Sequence, residues 1–212
     1  CGNEYLASRA RDAGATRIEV VPTVIDLQRY NVADKPLQNR IVVGWIGAPS
    51  TVKYLDLVAP VLADLSIEFP LQLQVVGASF SWPGLDVVNI PWSEDTEVAS
   101  IQQFDIGVMP LQDTLWEQGK CGYKLIQYMA CGLPVVGSAV GVNKEIIQAG
   151  VNGYLASTMG DWEVSFRGLI QNGELRREMG AAGRRDVEQK YCLQVTAPKV
   201  AELFGSLIGR AR

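Results

Sequence analysis

The chain contains no histidine in its 212 residues. That absence excludes Ser-His-Asp and Cys-His chemistry, HExxH zinc sites and any imidazole base from these residues. A reaction that needs such a group has to take it from another part of the protein. Cysteine is scarce as well. Cys1, Cys121, Cys131 and Cys192 form no C-x-x-C pair and no even framework, so neither a structural metal site nor a disulfide scaffold is expected. Reduced thiols in a cytoplasmic protein are the simpler reading. No apolar run reaches the ~18 residues of a membrane span. A strong excess of either charge is missing too: 19 Lys+Arg against 23 Asp+Glu leave a net charge of −4. Such a balance sets up no field that draws nucleic acid or anionic lipid. The opening Cys1-Gly2-Asn3-Glu4 has neither a starting Met nor signal-peptide character and is expected to continue a longer chain.

What remains is a globular composition, 48% hydrophobic and 20% charged, at a length that suits one large domain or one domain plus a fragment. Short β-branched runs at Ile18–Val21, Ile41–Ile46, Leu71–Val76, Val87–Ile90, Ile106–Met109 and Pro134–Val136 predict strands of a buried parallel sheet. Helical patterns fall between them at Val52–Ser66, Glu94–Gln102, Tyr123–Ala130, Asn143–Gln148 and Asp161–Asn172. This alternation predicts an α/β fold with a doubly wound, Rossmann-like parallel sheet. Glu174–Tyr191 and Thr196–Ile208 read as a helical C-terminal extension. Asn3–Ala13 suits a short helix, and Tyr30–Arg40 is a polar linker. A boundary near residue 40 therefore divides a leading segment, 1–40, from the main domain, 41–212.

Two loops fall where ligands of open α/β sheets bind, at strand carboxyl ends. Neither contains GxGxxG or GxxxxGK[ST], which weakens the standard dinucleotide and P-loop readings. The first loop, Gly119-Lys120-Cys121-Gly122-Tyr123-Lys124, leads into a helix. Backbone N–H groups at a helix start bind anions, and Gly122 lets the chain approach a phosphate. Lys120 and Lys124 share one face there, where the helix dipole repels them unless an anion joins. An ordinary solvated lysine pair remains the alternative. The second loop runs from Gly47 through Ser50, Thr51 and Lys53; it offers N–H groups and a hydroxyl, although helix capping alone explains Ser50 and Thr51. Trp45 and Trp82 read as packing, Met109 and Met129 as core, and Arg176, Arg177, Arg184 and Arg185 as a solvated helix face. Glu145 suits a first-turn capping carboxylate.

Gly132-Leu133-Pro134-Val135-Val136, preceded by Tyr128-Met129-Ala130-Cys131, resembles the E-A-M-A-C-G-L-P-V-V segment of the family 4 retaining glycosyltransferases. Gly141–Ile147 and Gly150–Leu155 resemble that family's G-x-x-E-I-I and G-x-N-G-x-L segments, in order and at similar spacing. Gly47 with Lys53 six residues on is similar to G-R-x-x-x-x-K-G, and Asp105–Pro110 to the A-D-V-x-V-x-P-S strand. The resemblance covers residue 40 onward. A non-hydrolysing nucleotide-sugar epimerase of similar architecture fits these ordered segments less well.

The resemblance implies the C-terminal, donor-binding half of a GT-B fold, with residues 1–40 as the tail of an N-terminal domain and the interdomain linker. It implies transfer of a sugar from a nucleotide diphosphate sugar, without metal or other cofactor, to an acceptor glycan or lipid-linked acceptor held by the N-terminal domain. That domain would supply the histidine and any peripheral membrane contact at the inner face of the membrane. Lys53 and Lys124 are the implied catalytic cations. Gly47, Ser50, Lys53, Trp92, Glu117, Lys120, Cys121, Gly122, Tyr123, Lys124 and Gln127 are the implied donor contacts, Trp92 bordering the nucleobase.

Three positions depart from the family pattern. The two carboxylates of its Glu-x7-Glu motif fall on Gly119 and Gln127, and its diphosphate arginine falls on Ala48. Gln127 keeps hydrogen-bonding capacity toward ribose without charge. Glu117 lies two residues from Gly119, and Lys120 or Lys124 can replace the missing cation. The departures fit either a divergent active branch, favoured by the intact loop and Lys53, or an inactive nucleotide-binding or interaction module.

Overall fold

A computed structural model describes residues 1–33 and 39–208; within the predicted linker, residues 34–38 lie outside them. The chain opens with α1 (Glu4–Asp12). Next come β1 (Ile41–Ile46), a 3₁₀ segment (Pro49–Leu57), α2 (Ala59–Glu68), β2 (Leu71–Val76), β3 (Val87–Ile90), α3 (Glu97–Ile101) and β4 (Ile106–Met109). The second half holds α4 (Leu115–Gln118), α5 (Tyr123–Ala130), β5 (Val135–Ser138), α6 (Asn143–Ile146), β6 (Gly153–Ala156), α7 (Met159–Gln171), α8 (Gly173–Lys190) and α9 (Leu193–Ile208). All six strands are parallel, in the order β3-β2-β1-β4-β5-β6. This is the doubly wound, Rossmann-like sheet expected from the sequence.

β1 shows why the sheet is buried on both sides. Its residues alternate between two cores: Val42 and Ile46 pack with α5, while Val43 and Trp45 pack with α2 and α7. Gly44 and Gly107 sit on the α5 side because nothing larger fits. A Cβ on Gly44 would stand 1.9 Å from the Phe104 ring, and one on Gly107 would stand 2.4 Å from Tyr128. Phe104 and Tyr128 meet edge to face, 6.1 Å between ring centres.

The central strands part toward their carboxyl ends. β1 pairs with β2 along its whole length, but with β4 only at Val43–Ile106 and Gly44–Gly107. Beyond that point Ile46 N–H has no strand partner on the β4 side. The buried Tyr128 hydroxyl takes its place, accepting from Ile46 N–H at 3.0 Å and donating to the Val108 carbonyl at 3.4 Å. One phenol thus satisfies a buried backbone group that would otherwise be orphaned.

The structure corrects several expectations. Ile18–Val21 enters no sheet; it runs extended, Val21 N–H bonding Cys1 O at 2.8 Å. Its β-branched run has strand propensity but finds no neighbouring strand to pair with. The helix predicted over Val52–Ser66 is divided, the first half being the 3₁₀ segment and the second α2. Neither Ser50 nor Thr51 caps it: Thr51 Oγ1 donates to Ala48 O, at 2.9 Å. The strand predicted at Pro134–Val136 runs over Val135–Ser138, while α4 and the edge strand β6 were not expected. Two of the four arginines assigned to a solvated face are staples instead. Arg184 donates to the carbonyls of Tyr30 and Ala130, and Arg176 to those of Leu169 and Ile170.

The helical tail returns to the leading segment, where Ile25 N–H bonds Tyr191 O and Leu193 N–H bonds Ile25 O. All four cysteines are free thiols. No helix among the described residues is long and apolar enough to cross a membrane.

Tyr128→Phe removes only the bridging oxygen and leaves Ile46 N–H buried without an acceptor. It is expected to lower stability by about 1–3 kcal/mol, the usual cost of an orphaned buried donor. Urea denaturation at neutral pH checks this, with the midpoint falling and the slope unchanged.

Candidate functional site

A cleft of about 390 Å³ lies at the carboxyl edge of the sheet. Its floor is the chain leaving β1, Gly47-Ala48-Pro49, beside Gly77 at the end of β2. Gly77 has φ +86°, and a Cβ there would stand 2.6 Å from Gly47 O, so only glycine holds the two strand exits this close. One wall is the first turn of α5, with Tyr123, Lys124 and Gln127; the other carries Trp92 and Glu97. A larger cavity, about 650 Å³, lies at the opposite, amino edge among Arg40, Arg176, Arg177 and Arg184. The carboxyl edge is where open α/β sheets place ligands, and one end of this cleft gathers lysines.

The Lys124 ammonium sits 5.4 Å over the Trp45 ring. Its stem passes over Gly47, where a Cβ would meet Lys124 Cε at 2.8 Å. Burial and the neighbouring Lys120 charge pull the Lys124 pKa down from 10.5 to about 8. Lys53 and Lys120 converge on one ring: their ammonium groups lie 5.5 Å and 5.2 Å from the centre of Tyr54. Among the described residues none of these three lysines forms an ion pair.

The loop carrying Lys120 is held from three sides. Gly122 caps α5 with φ +68°, and a Cβ there would collide with Ile146 Cδ1 at 2.3 Å. The N–H groups of Tyr123 and Lys124 at this helix start have no acceptor among the described residues, which leaves them available to an anion. Below the loop Glu117 is buried, accepting from Tyr54 and Thr114 hydroxyls. Burial pushes its carboxyl up, but these bonds and Lys120 outweigh it and hold the group below the usual carboxylate range. Outside, Asn3 donates to Gln118 O at 3.3 Å and Lys120 O at 3.0 Å while its own oxygen caps α1. Cys121 packs against Gly2, where a Cβ would stand 2.4 Å from the sulfur.

Of the residues expected to bind donor, Gly47, Trp92, Tyr123, Lys124 and Gln127 line the cleft. Lys120, Cys121 and Gly122 belong to the adjoining loop, and Lys53 to the 3₁₀ segment, outside the cleft lining. Ser50 is exposed on the 3₁₀ segment outside the cleft lining, and Glu117 is turned inward with both oxygens engaged. The sequence reading missed Glu97, Tyr30 and Tyr54. Glu97 had one available signal: it lies one helical turn before Ile101, on the inward face of a predicted helix.

The family model for group 1 glycosyl transferases matches residues 40–171. The chain belongs to this family. Over 205 residues it is 25% identical to the D-inositol 3-phosphate glycosyltransferase of Geodermatophilus obscurus, an alignment covering 82% of this chain and 44% of that enzyme. The chain spans less than half the length of the curated relatives it matches. Among solved structures, Anabaena Alr3699/HepE in complex with UDP-glucose superposes with a TM-score of 0.79 at 17% identity, over 97% of this chain and 63% of that one. The C-terminal domain of LpcC, a group 1 family protein from Francisella tularensis, is matched over its whole length and 80% of this chain, with TM-score 0.63 and 18% identity. The fold of this group 1 chain is therefore that of the C-terminal domain of a GT-B enzyme.

With its pKa pulled down to about 8 in the fold against 10.5 when free, Lys124 leaves the unfolded chain binding the extra proton between about pH 8 and 10.5. Wild-type stability is expected to rise across that window. Below pH 8 the charged lysine destabilises the fold, and Lys124→Met is expected to stabilise it by about 1–3 kcal/mol at pH 7. By pH 10.5 that gain should vanish. Urea midpoints of both proteins across pH 7–10.5 provide the check, and a constant difference would refute the assignment.

Proposed function

We propose that this chain is the donor-binding half of a retaining glycosyltransferase, moving a sugar from a nucleotide diphosphate sugar to a glycan or lipid-linked acceptor. The observation that carries the reading is the set of unneutralised cations at the cleft. Lys124 is part-buried without a carboxylate partner, beside the free N–H groups of the α5 start, with Lys53 and Lys120 next to it. A buried cation left unpaired is costly, and a diphosphate offsets that cost. As the glycosidic bond to phosphate breaks, negative charge grows on the leaving diphosphate. Preorganised Lys124, Lys53 and backbone N–H groups stabilise that charge more than they stabilise the ground state. No general base is assigned to these residues.

In this reading residues 1–40 are the tail of an N-terminal domain and its linker, and 41–212 are the donor domain. Asn3 then joins the two, tying the first domain's last helix to the diphosphate loop. The acceptor site and any contact with the cytoplasmic face of a membrane belong to the N-terminal domain, so this chain alone transfers nothing. A second reading, a nucleotide-binding module without transfer, draws on Gly119, where the family's sugar-contacting carboxylate is absent, and on the engagement of Glu117 elsewhere.

Calorimetric titration of the chain with UDP, GDP, ADP and their common sugar conjugates is expected to show binding of one nucleotide. Lys124→Ala should weaken it about tenfold or more, as for loss of a charge-assisted bond, and Lys53→Ala by less. A folded sample that ignores every nucleoside diphosphate would falsify donor binding.

A further inference from the structure

The cleft has two chemically different ends. Lys124 and the α5 start make one of them cationic. At the other stands Glu97, a carboxylate only 9% exposed. Among the described residues no lysine or arginine pairs with it. Neutral donors hold it instead: the Tyr30 hydroxyl donates to Oε1, and Trp92 Nε1–H donates to Oε2 at 2.8 Å. Burial and the Glu97 bond push the Tyr30 phenol up, so it stays protonated and keeps donating. Gln127 in turn donates to the Tyr30 oxygen at 2.8 Å.

As a packing element this carboxylate is a poor choice, because a buried acid is costly and an amide or apolar side chain of similar size is cheaper. Its two bonds use one lone pair on each oxygen and leave one on each. Gln127, the ribose position that the resemblance implies, is uncharged and spends a donor on Tyr30. We infer that Glu97, rather than Gln127, accepts the hydrogen-bond donors on the uncharged end of a bound nucleotide. This inference rests on the donor-binding reading and names the recognition element of that same site.

Three groups on a nucleoside present such donors: the ribose diol, the ring N–H of an oxo base and the exocyclic amine of an amino base. Trp92, 53% exposed at the cleft, is tied to the same carboxylate and offers a ring face beside it. Bonds to a charged acceptor are roughly twice as strong as neutral ones, so Glu97 confers selectivity where a glutamine does not.

The test is calorimetry on the chain with UDP, CDP, GDP, ADP, the 2′-deoxy form of the tightest of them, and inorganic pyrophosphate. UDP and GDP carry a ring N–H where CDP and ADP carry a bare nitrogen. Wild-type protein is expected to discriminate between oxo and amino bases, in either direction, or to prefer ribo over 2′-deoxy, by about tenfold or more. The first preference assigns Glu97 to the base and the second to the ribose. Glu97→Gln keeps acceptor and shape; it should cut that preference at least severalfold while leaving pyrophosphate affinity within about twofold. Wild-type protein that binds nucleotide but shows neither preference overturns the inference without any variant. So does a preference that Glu97→Gln leaves unchanged. In both cases donor binding stands, whereas a wild-type protein that takes no nucleotide sinks both.

Discussion

The site depends on a failure of pairing that the fold repairs with one side chain. Parallel strands that stay in register to their ends leave no crevice between them; here β1 and β4 part after Gly44 and Gly107. Parting strands expose backbone groups, and a buried unpaired N–H is costly. The Tyr128 hydroxyl meets that demand from α5, accepting from one strand and donating to the other. Gly107 makes the approach possible, since any side chain there would displace the Tyr128 ring. The same eight-residue helix therefore closes the gap with its middle and presents Lys124 to the cleft with its first turn. Bridging of the parted strands and placement of the cation thus fall to one helix.

Around that crevice the charges are arranged against stability. Lys124 is desolvated beside another lysine, and Glu97 is buried without a cation. A fold selected only for stability would bring such groups together or replace them. Aromatic rings take the place of counterions here: Trp45 lies under Lys124, and Tyr54 lies beside both Lys53 and Lys120. A ring quadrupole steadies a cation without neutralising it, so the positive potential stays available to an incoming anion. Glu117 shows the contrast. Both its oxygens accept from hydroxyls and its charge faces Lys120 from inside the loop, so it acts as scaffold for the cationic wall.

Most of the sheet was legible because its central strands are buried on both faces, which writes them as short apolar runs bounded by turn residues, while the partly exposed edge strand β3 is marked by its β-branched residues alone. Ile41–Ile46, Leu71–Val76, Val87–Ile90 and Ile106–Met109 have the bounds the sequence implied. Ile18–Val21 has the same local character and forms no strand, since pairing is a tertiary property that propensity cannot report. β6 was invisible for the opposite reason: it opens on Gly153, which reads as a breaker. That glycine is required by packing, for a Cβ would stand 2.2 Å from Val135 O. Arg176 and Arg184 misled in a third way. Their spacing is that of a solvated helix face, yet each reaches backbone carbonyls at the ends of other helices, where a long stem can bury and a guanidinium can bond.

The site was legible only where a motif lies in a single stretch of chain. The Gly119–Lys124 loop reads directly as a glycine-led helix entrance, because a helix start is a local pattern, and the structure puts the first turn of α5 on the cleft wall. Alignment to the family pattern also points to Gln127 as the ribose contact, and there local and spatial information diverge. Glu97 sits thirty residues earlier, on another helix, and Tyr30 lies in the leading segment. Only the folded chain joins them through Trp92 and Gln127. A motif conserves the positions that contact a ligand from one segment. It says little about a charge that has moved to a neighbouring element while the old position keeps its place in the hydrogen-bond network. A glutamine at a glutamate position therefore does not by itself mark a lost site. Whether the carboxylate is gone or has moved depends on which acids line the same cleft, and here Glu97 does.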